Sequence, residues 1–232
     1  TFTGTSLLWP GLTNATTNFS IMASGIPGFF SPNLTSIWGI HAHVGMERAS
    51  FYSTEALKKS LFEFVDFERL RSGPTRFTVG AVNVRSGEMR YFDSRDIAIG
   101  PEHVMASSAL PPAFPAVCID GEPYWDGGVY SNTPIEAVFD DYPRRSSVVF
   151  AIQVWHADGP EPKSIWQVLG RQKDIQYASR NKSHVARQEQ IHHLRHVIRE
   201  LVRRLPETER TTPEAQDLES YGCGTIMHVV QM

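Results

Sequence analysis

The sequence predicts an α/β fold, on three observations. Two runs, Phe77–Asn83 and Ser146–Val154, place apolar residues on both faces of a period-two pattern, as interior strands do. Helical patterns lie at 54–71 and 162–205, and helices alternating with buried strands give a sheet with helices on its faces. The chain has 232 residues, 41% apolar and 20% charged, which is enough for one sizeable core and ordinary for a globular domain.

The elements follow in order. Residues 1–53 are rich in Gly, Pro, Ser, Thr and Asn without periodicity, which predicts an irregular segment. A helix is expected from Thr54, its N-cap, to about Arg71, with Leu57, Leu61, Phe64 and Val65 on one face. Ser72-Gly73-Pro74 stops it. The strand at 77–83 returns through Arg85-Ser86-Gly87 as a hairpin partner over 87–93. Ala106 onward reads as a helical start broken by Pro111 and Pro112. Val117-Cys118-Ile119 and Tyr124-Trp125 are short strand-like pieces around the turn Asp120-Gly121, and a helix opens at Ile135. Val148–Ile152 is nearly continuous in apolar residues and reads as buried. Two helices are expected beyond it, Ser164 to about Ser179 and about Lys182 to Leu205. Pro206 ends the second, Glu207–Gln216 reads as a polar surface loop, and a final strand includes Met227-His228-Val229-Val230. The organisation expected is one domain over 1–232: a loop-rich 1–53, a core 54–160, and C-terminal helices with a last strand over 161–232.

The most informative run is Tyr124-Trp125-Asp126-Gly127-Gly128-Val129-Tyr130-Ser131-Asn132-Thr133-Pro134. An acid before two glycines puts a carboxylate on a turn that other groups can approach closely, because glycine has no Cβ. That suits a catalytic base. It equally suits a hairpin, since Asp-Gly between strand-like residues is a type I′ turn signal.

The neighbourhood separates these readings. Ala106-Ser107-Ser108-Ala109-Leu110-Pro111-Pro112-Ala113-Phe114-Pro115 precedes the motif, and Asn132-Thr133-Pro134 follows it. This ordered set resembles the patatin-like phospholipase family. The similarity extends from about Gly25 through most of the chain, including 77–83 as the family's central strand. The late helices and 227–230 are similar to a bacterial subgroup. The resemblance implies a layered α/β fold with a central, mostly parallel sheet and helices on both faces. It implies a cytoplasmic hydrolase of lipid or other acyl esters, with no cofactor and no metal.

The chemistry implied is a Ser-Asp dyad. The serine hydroxyl attacks an ester carbonyl, giving an acyl-enzyme that water hydrolyses. Aspartate takes the proton directly, helped by partial burial and by backbone N–H groups that hold the oxyanion. Asp126 matches the base, and Gly127 and Gly128 match the glycines beside it. Tyr124, Trp125, Asn132 and Pro112 are candidate walls of the site. Phe19–Phe30 reads either as a loop packing its aromatics on the core or as an apolar flap over an acyl pocket. Gly25, Pro27 and Gly28 break it well short of a membrane span.

One departure limits the match. The family's nucleophile sits in a Gly-x-Ser-x-Gly elbow, and none of the 232 residues form one. Gly4-Thr5-Ser6-Leu7-Leu8 comes nearest, but Leu7 and Leu8 crowd a turn that needs small residues, so Ser6 is a poor nucleophile. The expectation is that the chain starts after the elbow and does not hydrolyse esters alone, and the strand-like run at its end leaves a cut at the C-terminus open too.

Other features exclude more than they assign. A net charge of −3 predicts no general attraction to nucleic acid. Cys118 and Cys223 read as buried free thiols. His192 and His196 have the i, i+4 spacing of zinc helices but neighbour Arg195, and read as solvated surface; His41 and His43 have no further ligand in pattern. Arg187, Arg195, Arg199, Arg203 and Arg204 make one face of the last long helix basic, either as solvated charge or as a transient contact with an anionic lipid surface or acidic partner. Composition leaves the oligomeric state open.

Overall fold

Ser31–Pro32 (β1) pairs antiparallel with Tyr52–Ser53 (β2) in the computed structural model, which describes residues 17, 20–35, 41–221 and 225–231. The chain divides into two compact units, Thr1–Tyr130 and Ser131–Met232.

In the first unit, α1 (Glu55–Phe64) and α2 (Phe67–Ser72) stand where one helix was expected. Val65 is extended between them, and the Asp66 carboxylate accepts the Arg69 N–H at 2.9 Å, so a fresh N-cap ends the first helix. Phe64, expected on the packed face, is exposed at that break. Next come β3 (Thr78–Asn83), β4 (Met89–Asp93), α3 (Pro101–Ser107), β5 (Val117–Ile119) and β6 (Glu122–Asp126). The sheet order is β4-β3-β6-β5, with every pair antiparallel. Ala106 therefore lies near the end of a helix that begins at Pro101, not at a helix start.

The turn between β5 and β6 is Asp120-Gly121, with φ of 53° and 80°. Both residues are left-handed, as a two-residue type I′ hairpin requires. The core of this unit is Ala81, Phe92, Ile99, Ala106, Ile119 and Tyr124, formed where α3 covers one face of the sheet. The Phe92 and Tyr124 rings meet edge to face at 5.5 Å. Cys118 is exposed rather than buried, because β5 is an edge strand and the pleat turns residue 118 away from Val117 and Ile119.

At the sheet's open end, Asp93 is almost fully buried and accepts from Arg76, from Thr78 Oγ1 at 3.0 Å, and from the Arg95 N–H at 2.9 Å. The aromatic loop packs inward: Phe29 and Phe30 contact Phe114, and Phe30 also contacts Tyr52. Met22 and Ile26 on the same loop remain exposed.

The second unit holds α4 (Glu136–Phe139), β7 (Val148–Gln153), α5 (Ile165–Arg203), α6 (Glu207–Arg210), α7 (Pro213–Glu219) and β8 (Ile226–Gln231). β7 and β8 pair in parallel, from Val148↔Ile226 to Gln153↔Gln231. The α/β class holds. The described sheet that carries the Asp-Gly-Gly strand is antiparallel, and parallel pairing is confined to β7–β8.

Helix α5 replaces the two helices expected at 164–179 and 182–205. The Ser164 hydroxyl accepts the Gln167 N–H at 3.2 Å as N-cap, and 39 residues follow without interruption. Its inner face buries Ala178, Asn181, Val185, Gln188 and Val202. The core here is Ile135, Phe139, Ala151 and Val185. Only Ala151 of β7 is fully buried; Val148, Phe150 and Ile152 face outward, because helices cover one face of the strand pair and not the other. The expected loop at 207–216 is instead α6 and the start of α7, which the Thr212 hydroxyl caps on the Ala215 N–H. Among the described residues, no helix is long and apolar enough to cross a membrane.

Candidate active site

Asp126 is the last residue of β6, opposite Ala81 on β3. The chain leaves the strand there and tightens into a 3-10 turn over Gly127–Val129, closed by the Tyr130 N–H on the Gly127 carbonyl at 3.0 Å. The Asp-Gly-Gly run is therefore a strand exit. The hairpin turn is the other Asp-Gly pair, at 120–121.

Three contacts hold the carboxylate in place. The Gly128 N–H donates to Oδ1 at 2.7 Å. The Asp126 N–H donates to the Ala109 carbonyl at 3.0 Å. Gly127 is buried against β3: a Cβ there would lie 2.6 Å from the Gly80 carbonyl oxygen and 2.7 Å from Met89 Cε. Oδ2 accepts no hydrogen bond among the described residues. Burial pushes the Asp126 carboxyl above the ordinary aspartate range, and the Gly128 hydrogen bond draws it partway back. A carboxylate with a raised pKa and an oxygen not engaged in a hydrogen bond can take a proton from a hydroxyl.

The surrounding candidates divide by the pleat. Tyr124 is buried on the same strand face as Asp126, two residues back. Trp125 projects from the opposite face and does not wall that carboxylate. Pro112 is exposed, joined to Pro111 by a cis peptide bond, and enters through its carbonyl, which accepts the Phe51 N–H at 3.1 Å. Asn132 lies in the second unit and is half-buried. Ser6 falls outside the described residues, as does Cys223.

Three participants were not singled out from the sequence. The Ala109 carbonyl is main chain, though Ala109 is the second alanine of the Ala-Ser-x-Ala segment. Gly80 interrupts an apolar strand, and an isolated strand glycine marks close backbone approach. Met89 carries no sequence signal of its contact.

Elsewhere, a cleft of about 440 Å³ is lined by residues including Met46, Arg48, Arg85 and Cys118, and Asp126 does not line it. No three His, Cys, Asp or Glu side chains converge as metal ligands among the described residues. His192 and His196 meet at 3.1 Å, Nε2 to Nε2. His192 is half-buried against the Phe139 ring rather than solvated. Burial, with the charges of His196 and Arg195, lowers its pKa. His184 Nε2 lies 2.6 Å from Glu136 Oε2, tying α5 to α4.

Comparison with known families adds two matches. The family described as Patatin-like phospholipase matches residues 29–139, which contain the whole Ala106–Pro134 series. The family described as Patatin phospholipase matches residues 175–232. No curated protein gives a significant match to the chain.

Proposed function

Because the chain belongs to the patatin-like phospholipase family, a family of lipid acyl hydrolases, we propose that Asp126 is the base of a Ser-Asp dyad. The observation that carries this is the Asp126 carboxylate itself, raised by burial, held at Oδ1 by the Gly128 N–H, with Oδ2 accepting no hydrogen bond among the described residues. The ionised carboxylate takes the serine proton as the serine oxygen bonds to the ester carbonyl. The tetrahedral oxyanion collapses, the alcohol leaves with the proton from Asp126, and an acyl-enzyme remains. Water then attacks, giving its proton to Asp126, and the carboxylic acid departs as serine regains its hydrogen. Neither a metal nor a cofactor enters these steps.

The nucleophile and the oxyanion donors are supplied from outside these 232 residues, a reading supported by the lack of any Gly-x-Ser-x-Gly in them. On this reading the chain is the base-bearing part of one domain. The subgroup resemblance supports a bacterial enzyme working in the cytoplasm, on carboxylic esters of lipids. That same lack of an elbow favours one other reading, a non-catalytic module of this fold serving as a scaffold or lipid-binding partner.

Fluorophosphonate labelling with p-nitrophenyl ester hydrolysis tests the proposal. The chain Thr1–Met232 stays unlabelled, and a longer form with an elbow within about a hundred residues upstream, a domain-scale distance, labels and turns over. Labelling at Ser6 would overturn the assignment of the nucleophile. A longer form with no elbow and no turnover favours the non-catalytic module.

A further inference from the structure

Helix α5 is long and basic, and the side that its own unit leaves open is apolar toward both ends of the helix and polar in the middle. Ile165, Leu169, Leu194 and Leu201 are each more than half exposed, and so is Trp166 beside them. Ile165 and Leu201 are separated by about ten turns at 3.6 residues per turn, and Leu169 and Leu194 fall on the same line. The line is apolar at its two ends, Ile165 to Leu169 and Leu194 to Leu201, and polar between them, where Gln172, Gln176, Ser183, Arg187 and Gln190 occupy it, on a helix about 58 Å long at 1.5 Å per residue. The opposite side packs through Ala178, Asn181, Val185 and Gln188, and near the C-terminal end Val202 is buried on the flank beside Leu201.

Charge decides what fits this face. Between Ile165 and Arg203 there are eight Lys and Arg against three Asp and Glu, a net +5 in a chain whose net charge is −3. A second copy would bring an equal positive charge against it. An anionic bilayer surface offers the complement, with headgroups for Lys182 and Arg187 and an interfacial layer for Trp166 and the leucines.

We propose that the outward face of α5 docks on anionic phospholipid bilayers, its two apolar ends in the interface and its polar, basic middle at the headgroups, lying in the interface plane and not crossing it. The inference deepens the acyl-hydrolase reading by naming the physical form in which the substrate is met. It rests on that reading only for its purpose, since binding is measured without turnover.

The test is sedimentation of the purified chain with vesicles of phosphatidylcholine alone and of phosphatidylcholine mixed with phosphatidylglycerol. The mixed vesicles bring the protein down, binding weakens as salt rises, and tryptophan emission shifts to the blue in a way that Trp166→Phe removes. Trp166→Ser with Leu169→Ser, Leu194→Ser with Leu201→Ser, and Lys182→Glu with Arg187→Glu each lower the partition constant about tenfold, since each removes buried apolar area or basic charge. All six positions are exposed, and unchanged circular dichroism confirms that the variants fold. Equal binding to both vesicle types, or binding unaffected by the three pairs, overturns the proposal. So does a dimer in light scattering that the same serine pairs dissociate, without vesicle binding, which assigns the face to a second copy. Vesicle binding by a longer form that has an elbow but never hydrolyses an ester sustains the docking and overturns the dyad.

Discussion

The main-chain N–H of Asp126 donates to the carbonyl oxygen of Ala109 at 3.0 Å. This bond joins the two ends of the family signature. The segment after α3 is a support for the carboxylate as well as a marker, and its cis Pro111-Pro112 leads the chain on to Phe114, whose N–H returns to the Leu110 carbonyl. The site's position thus depends on main-chain atoms that side-chain substitution leaves in place.

Asp126→Asn keeps an oxygen for the Gly128 N–H while removing the base. In a form that turns over p-nitrophenyl esters, it lowers kcat by about 10²–10⁴-fold, the usual worth of a positioned base. The wild-type rate rises with pH through a pKa above the ordinary aspartate range. Stability moves the other way. A carboxyl whose folded pKa is raised binds more protons folded than unfolded, so it costs stability as pH climbs through that window. Urea denaturation finds the Asn variant at least as stable as wild type at pH 7, with the difference gone below about pH 4.

Gly127→Ala places a Cβ 2.6 Å from the Gly80 carbonyl. Backbone cannot swing aside, so the substitution costs about 1–3 kcal/mol, the range for overpacking. Adding Met89→Ala does not restore it, because the Gly80 oxygen remains. Gly128→Ala meets only Asp126 Oδ1 at 3.1 Å and costs less in stability. Paired denaturation curves rank the three variants.

Asp93→Ala removes a buried carboxylate from Arg76, Thr78 and the Arg95 N–H. Burial pulls its pKa up, but the Arg95 N–H, Arg76 and Thr78 together outweigh burial and hold it below the ordinary value. Arg76 is about a third exposed, which tempers the loss to about 2–3 kcal/mol. A depressed carboxyl stabilises above its unfolded pKa, and that contribution is lost as pH falls through the folded one. The wild type therefore loses stability more steeply than the variant below about pH 4.

His192→Phe keeps the ring against Phe139 and removes a titrating group. The His192 pKa is lowered, so between it and about 6.5 the unfolded chain binds more protons. Acidification through that window destabilises the wild type. Thermal unfolding at pH 7.5 and pH 5 shows a smaller drop in the Phe variant; an equal drop assigns the acid sensitivity elsewhere.

Much of this was legible in the residues. Short runs apolar on both faces located β3 and β7, and Asp120-Gly121 located a hairpin, because both signals are local. The merging of two helices into α5 was hidden by Asn181 and Gln188, polar residues that break the apolar period yet lie on the buried face. The outward face of β7 was hidden for a different reason: apolar residues show that a strand can be buried, not what covers it. At the site, Asp126 and its glycines were legible as a motif, and Gly80 could have been read as a close approach. The Ala109 bond was not, because a carbonyl has no letter of its own.

The Asp120-Gly121 turn has a reach beyond its own two residues. Its left-handed pair fixes Ile119 against Glu122 and Val117 against Tyr124, and counting on from there delivers Asp126 to the α3 side of the sheet. A strand has only two sides, so a one-residue slip would present Trp125 there and turn the carboxylate away. The turn is a gauge for the proposed base: six residues upstream of Asp126, it sets which way that carboxylate faces.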